Sequence, residues 1–229
     1  MSAIERDVDE VSFPPISNVD REAIAAFHLR ARAVGLDAPE LMAAVESVQR
    51  RAFVPSRFKS SAWSSRLVPI PCGEVIEGID LQVRMIHALG LSRNHRVLEI
   101  GTGTGYCTSI MAKLASRVYT TERFKTLHAQ ALKRFRALKL DNVVATHADG
   151  SKGSDQGPFD RIISWAAFDS VPREFLDQLA SGGEMICAIG QIDEPQTLCR
   201  LTKVGSRFEA VELEQVRFQV LTSGKARAI

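Results

Sequence analysis

No C-x-x-C pair occurs anywhere in the 229 residues. The four cysteines, Cys72, Cys107, Cys187 and Cys199, are far apart and have no histidine nearby at zinc spacing. The five histidines form no ligand pair either, so no metal site is expected and the thiols read as buried and reduced. No apolar run approaches the ~18–20 residues that span a bilayer. Met1 to Pro15 is acidic where a signal peptide is basic and then greasy. The formal charge of +2, from 29 Lys+Arg against 27 Asp+Glu, is too small to advertise nucleic acid or an anionic membrane as partner. A P-loop is excluded, because no Gly-Lys is followed by Ser or Thr. These absences predict a cytosolic protein. What remains is ordinary globular composition, 45% hydrophobic and 24% charged, at a length that suits one α/β domain.

Residues 1–19 carry acids, two prolines and little periodicity, and read as a flexible leader. A region of helices and irregular chain follows over 20–92. Ile24, Phe27, Ala31 and Val34 mark a first helix closed by Gly35. Asp37 reads as the N-cap of a second, with Pro39 in its first turn. Residues 56–75 read as irregular, with an exposed Trp63, and a helix is expected over Ile79 to Leu89. From residue 93 strands and helices alternate. Strands are expected at Val97–Ile100, Arg117–Glu122, Val143–Asp149, Phe159–Ser164, Glu184–Ile189, Thr197–Val204 and Glu209–Leu221, with a helix around Phe175–Leu179. This alternation predicts a doubly wound, mostly parallel seven-stranded sheet with an antiparallel edge, carrying N-terminal helices. Lys113, Arg117, Arg123, Lys125, Lys133, Arg134, Arg136 and Lys139 make a basic stretch without stacking aromatics, and read as a solvated helix face.

The first of these strands empties into Gly101-Thr102-Gly103-Thr104-Gly105. Glycine is required where the chain turns tightly and a ligand lies on bare backbone. A dinucleotide site wants G-x-G-x-x-G; here the third glycine comes one residue early and Glu99 precedes the loop. That acid repels phosphate and suits a cationic ligand. Glu122 ends the second strand, where a ribose diol is bound in such folds, and Asp149-Gly150 ends the third, where an adenine edge lies. Three acids in one crevice fit S-adenosylmethionine, with its ribose, exocyclic amine, ammonium and sulfonium. Taken singly, each acid reads equally well as a helix cap or a solvated loop residue.

The chain also resembles a known family, the protein-L-isoaspartate (D-aspartate) O-methyltransferases, from about residue 38 to 221. Val48-Gln49-Arg50-Arg51-Ala52-Phe53-Val54-Pro55 is similar to the family's V-P-R-x-x-F-V-P. Ala62-Trp63, Pro69-Ile70 and Gly73 are similar to its A-Y-x-D-x-x-L-P-I-x-x-G-Q-T-I-S segment. Val97 to Tyr106, Val118-Tyr119 with Glu122, Asp149-Gly150, Pro158-Phe159-Asp160, Gly182-Gly183 and Val216-Arg217-Phe218 continue the match. The resemblance implies a Rossmann-like class I methyltransferase acting on a peptide or protein carboxyl, with S-adenosylhomocysteine as the second product. It implies cofactor contacts from Ile76, Glu99, Gly101, Thr102, Gly103, Gly105, Glu122, Asp149 and Gly150. A peptide or protein is the implied partner, and a small molecule is the alternative.

One position departs. The family's catalytic Ser falls on Glu77 of Val75-Ile76-Glu77, and Ser65, Glu74 and Ile79 also differ from the pattern. A carboxylate acceptor is ionised at pH 7 and needs no base, whereas a neighbouring Ser donates a hydrogen bond without charge cost. An ionised Glu donates nothing. At ~4 Å and an effective dielectric of ~20 it repels the acceptor by about 4 kcal/mol, roughly a thousandfold in rate. Three readings follow. Glu77 is protonated and donates as the Ser would; the acceptor is a hydroxyl or amine with Glu77 as base; or Glu77 faces solvent in a cofactor-binding protein without isoaspartyl activity. Ser65, Trp63 and Asp80 are further candidates for a replaced acceptor pocket, with packing the favoured reading of Trp63.

Overall fold

The computed structural model describes Phe13 and residues 16–226, so most of the expected leader lies outside the described residues. Its end is not a leader but the start of a helix. Ser17 caps α1 (Asn18–Ala33), accepting from the Asp20 N–H at 3.2 Å and donating to its carboxylate at 2.6 Å. Helix α2 (Pro39–Ser47) begins on Pro39 as expected, but Ala38 rather than Asp37 stands at its N-cap. Residues 56–75 are more ordered than their Ser and Pro content suggests. They hold a 3₁₀ helix at Ser56–Ser61 and the two-stranded hairpin β1 (Val68–Pro69) and β2 (Val75–Ile76). Trp63 is buried, its ring 6.3 Å from that of Phe27, which corrects its exposed reading in favour of packing. Helix α3 (Ile79–Ala88) follows the hairpin.

The remaining elements are β3 (Arg96–Ile100), α4 (Tyr106–Leu114), β4 (Arg117–Glu122), α5 (Lys125–Ala137), β5 (Val143–His147), β6 (Phe159–Phe168), β7 (Leu179–Ile189), β8 (Gln196–Val204) and β9 (Arg207–Val216). They form a seven-stranded sheet ordered β5-β4-β3-β6-β7-β8-β9. The pairs from β5 to β7 are parallel, and β8 and β9 complete an antiparallel edge. The expected mixed sheet with N-terminal helices is therefore present. Because both faces are covered, consecutive strand residues divide between two apolar clusters: Val97, Ile163 and Ile186 on one side, Leu98, Ile162 and Met185 on the other.

The second winding is reduced. After β5 and β6 the connections contain single 3₁₀ turns, Gly150–Lys152 and Arg173–Phe175, instead of the helix expected around Phe175–Leu179. Phe175 stacks edge-on against Phe168 at 5.6 Å, and Leu179 already belongs to β7. Strand β5 stops at His147, which frees Asp149 to cap the following turn. The last expected strand also ends early, at Val216. Buried Gln196 then clamps Phe218, accepting its N–H at 2.9 Å and donating to its carbonyl at 3.2 Å. Beyond that clamp the chain leaves β9 and passes to the end of β6, where Val220 makes a parallel bridge with Ala167. Among the described residues no helix is long and apolar enough to cross a membrane.

Candidate active site

Strand β3 starts the winding and lies between β4 and β6, so its C-terminal end faces the crevice where the strand order reverses. The glycine loop emerges there. The N–H groups of Gly101 and Thr102 both donate to the Thr121 carbonyl, at 3.0 and 3.1 Å, and Thr102 shares a 2.6 Å hydrogen bond with Thr120. Gly105 has φ +86°, and a Cβ there would stand 2.7 Å from the Phe135 ring. Only glycine both adopts that backbone and admits that ring. Arg134 completes the loop's support and is the one member of the basic stretch for which the solvated reading fails. It is buried, donates to the carbonyls of Thr104 and Ala52 at 3.1 Å each, and stacks over Phe53 at 5.6 Å. Desolvation lowers its pKa to about 10.

The three cofactor acids differ in what the fold does with them. Glu122 lines the crevice, with one oxygen accepting the Gly103 N–H at 2.8 Å and the other the Phe124 N–H at 2.9 Å. Burial raises its pKa against those donors. Glu99 does not reach the crevice. It has no exposed surface and accepts from Thr108, from Thr120 at 2.7 Å and from the Trp165 indole at 2.9 Å. Burial pushes it up to about 7 in spite of those donors. Asp149 accepts the Ser151 N–H at 2.9 Å and the Gly224 N–H at 2.8 Å, while the adjacent Gly150 lines the crevice. Burial pulls its carboxyl up, but these donors and Lys152 outweigh it and hold it below the usual range. Of the three acids, one thus stands at the crevice wall, one lies behind an indole, and one is tied to the chain's tail.

The crevice holds about 180 Å³ between Ile100, Gly101, Gly103, Glu122, Gly150 and Trp165. Its roof is Gln219–Thr222, part of the tail that the strand pattern missed. That strap is held by Gln219 and Leu221 to Ala167, by Gly224 to Asp149, and by Arg123 to the Gly224 carbonyl at 3.1 Å. Val75, Gly101, Gly103 and Trp165 also wall a smaller recess of about 50 Å³, which adds Ile76, Glu77, Gln82, Thr104, Tyr106 and Cys107. The structure therefore brings Glu77 and Ile76 beside the glycine loop. Burial raises the Glu77 carboxyl to about 7, opposed by Arg50.

Arg50 and Trp165 carry much of this geometry. The sequence placed Arg50 only within a matching segment and left Trp165 unnoticed. Among the other acceptor-side candidates, Asp80 is paired with Arg30 at 2.9 Å. Ser65 packs its backbone where a Gly78 Cβ would stand, 2.3 Å away.

The bare backbone of Gly101 and Gly103 beside one carboxylate and one indole fits an adenosyl group, with no side chain filling the cradle. Comparison with known proteins agrees. Residues 26–226 match the family model described as Protein-L-isoaspartate(D-aspartate) O-methyltransferase (PCMT). A protein-L-isoaspartate O-methyltransferase of Rhizobium meliloti is 41% identical over 186 residues, covering 81% of this chain and 91% of the relative. One from Azorhizobium caulinodans is 39% identical over 211 residues, covering 92% and 97%. A Plasmodium falciparum structure solved in complex with S-adenosyl-L-homocysteine has the same fold, with TM-score 0.76 at 24% identity over 87% of this chain and 98% of that one. With the family model matched over residues 26–226 and relatives about 40% identical over most of both chains, the chain belongs to the protein-L-isoaspartate (D-aspartate) O-methyltransferase family of S-adenosylmethionine-dependent methyltransferases.

Proposed function

We propose that this chain transfers a methyl group from S-adenosylmethionine to the free carboxyl of an isoaspartyl residue in a peptide or protein. The observation that carries the reading is the shared wall: Val75, Gly101, Gly103 and Trp165 separate the crevice from a recess that holds Glu77, and belong to both. Residues 93–229 form the cofactor side in this reading, and residues 20–92 supply most of the acceptor side. When bound, the cofactor supplies an electrophilic methyl on a sulfonium. The chain's own residues do the rest by placement. Glu122, already fixed by two backbone N–H groups, presents its remaining lone pairs to the ribose hydroxyls. Gly101, Gly103 and Gly150 give bare backbone against the adenosyl group, and Ile76 and Trp165 close the sides. Thr102 and Gly105 hold the loop itself, through Thr120 and the Phe135 contact. Asp149 serves indirectly, by holding the strap over the crevice. Glu99 tethers the Trp165 indole.

Glu77 replaces the family's catalytic Ser in this assignment. Its midpoint at about 7 leaves a protonated form available in the neutral range, and that form donates a hydrogen bond to the acceptor carboxylate as a hydroxyl would. The same midpoint supports a second reading, a hydroxyl or amine acceptor with ionised Glu77 as base. The four free cysteines suit a reducing compartment, the cytosol.

The test is methyl transfer to an isoaspartyl peptide against its matched aspartyl isomer, for wild type and Glu77→Ser. Transfer to the isoaspartyl peptide alone, retained in Glu77→Ser, is the expected result. Failure to bind S-adenosylhomocysteine in calorimetry would refute the cofactor assignment. Transfer to neither peptide would turn the acceptor to the second reading.

A further inference from the structure

Arg50 is the largest side chain with no exposed surface. It makes no ion pair among the described residues, although burying an unpaired cation costs several kcal/mol in general. A fold that needed only bulk there would be better served by an apolar side chain. Instead the guanidinium donates to the Ala62 carbonyl at 2.5 Å, to the Glu77 carbonyl at 2.6 Å, and to the Gln82 side chain. Its face lies 4.5 Å from the centre of the Tyr106 ring. These contacts tie the corner between β2 and α3, where Glu77 enters the recess, to Ala62 after the Ser56–Ser61 turn and to Tyr106 at the start of α4.

We infer that Arg50 is a positioning residue for the methyl-transfer site, pinning the Glu77 backbone and supplying the positive field that keeps the Glu77 carboxyl able to switch between donating and accepting. The inference deepens the reading of Glu77 as the acceptor's neighbour and rests on it. The ionisable groups around the pair are few. Tyr106 and Cys107 on α4 are held neutral by burial. Asp80 on α3 is paired with Arg30, and Glu99 on β3 acts on Cys107, whose thiol it helps to hold neutral. Burial is what drives the Glu77 carboxyl up, and Arg50 is the named charge that opposes it. Without that charge, burial alone would keep Glu77 protonated further into the alkaline range.

Two substitutions test this: Arg50→Met, which removes the charge, and Arg50→Lys, which keeps a charge but loses the planar fork. The Glu77 carboxyl is followed by ¹³C NMR, assigned by difference from Glu77→Gln, and the pH profile of kcat/KM for an isoaspartyl peptide is recorded alongside. The expected result is an upward shift of the Glu77 midpoint by about one pH unit in Arg50→Met, the size of effect one neighbouring charge exerts. Arg50→Lys falls between that and wild type. The kinetic midpoint moves with the NMR midpoint, and S-adenosylhomocysteine affinity is unchanged. In the Glu77→Gln background neither substitution moves the pH profile.

An unshifted Glu77 midpoint in the variants overturns the inference, as does a kinetic profile that shifts equally in Glu77→Gln. If Arg50→Met does not fold, Arg50→Lys alone decides by the same criterion. A shifted NMR midpoint without methyl transfer to the peptide leaves Arg50's role standing and refutes the acceptor instead.

Discussion

Replacing Glu77 by Gln will stabilise the protein at alkaline pH and leave it unchanged in acid. Glu77 has an ordinary value of 4.5 and reaches about 7 in the fold because burial penalises its charged form. The rise of about 2.5 units, at 1.36 kcal/mol each, corresponds to about 3 kcal/mol between the two protonation states. Below pH ~4.5 the carboxyl is neutral in both folded and unfolded chains, and its contribution is complete. As pH rises toward 7 the unfolded chain releases the proton while the folded one keeps it, so stability falls; above 7 the loss is complete. Gln never ionises and escapes this loss. The stability gain of Glu77→Gln should therefore grow from about zero at pH 4 to about 3 kcal/mol at pH 8, or roughly 6–12 °C in Tm for a domain of this size. Urea unfolding followed by fluorescence of the two tryptophans, Trp63 and Trp165, measures it directly. Glu99 titrates in the same window but is present in both proteins, so it cancels in the difference. A gain that is independent of pH, or a loss at pH 8, would refute the burial of this carboxyl.

Gly105→Ala should cost about 2–4 kcal/mol, combining the left-handed backbone penalty with overlap of the Phe135 ring 2.7 Å away. Chemical denaturation of the single variant and of Gly105→Ala with Phe135→Leu checks this, the second change recovering the steric part only. Glu122→Gln places an amide N–H₂ against either the Gly103 or the Phe124 N–H, so calorimetry should show S-adenosylhomocysteine affinity reduced about tenfold or more. Arg134→Met leaves the Thr104 and Ala52 carbonyls without their donor and should lower stability by about 2–3 kcal/mol in urea unfolding. Truncation after Phe218 removes the crevice roof while keeping the Gln196 clamp, and weaker cofactor binding with an unchanged circular dichroism spectrum is the expected outcome.

The alternation of strands and helices was readable because period two and period 3.6 are written into the apolar pattern, and the glycine loop because backbone geometry demands its residue type. Partners are not written there. Glu99 ends a strand in the same way as Glu122, yet it faces the Trp165 indole 66 positions later, and no local pattern announces that pairing. Arg134 sits in a basic run that looks solvated on helical spacing, but it points inward because the Thr104 and Ala52 carbonyls, 30 and 82 positions away, need a donor. The strap was mistaken for more of β9 since extended chain over a sheet end and extended chain within a sheet share one composition. The helix expected near Phe175 fails for a related reason: Phe175 and Leu179 both join the second apolar cluster, one from a single 3₁₀ turn and the other from the start of β7.

The two halves of the proposed site are tied to the fold in different ways. On the proposed cofactor side, Glu122 and Gly105 have a second duty in the fold. Glu122 fixes the glycine loop and Gly105 admits Phe135, so a substitution there loses affinity and stability together. On the acceptor side the Glu77 hydrogen bond to Arg50 is made by its backbone carbonyl, which any residue supplies. On the proposed assignment of Glu77 to the place of the family's Ser, the side chain at 77 can differ provided that the recess keeps it neutral when the acceptor arrives. Burial favours that neutral form and Arg50 opposes it, so in the proposed reading a carboxyl does a hydroxyl's work, with pH dependence as the consequence.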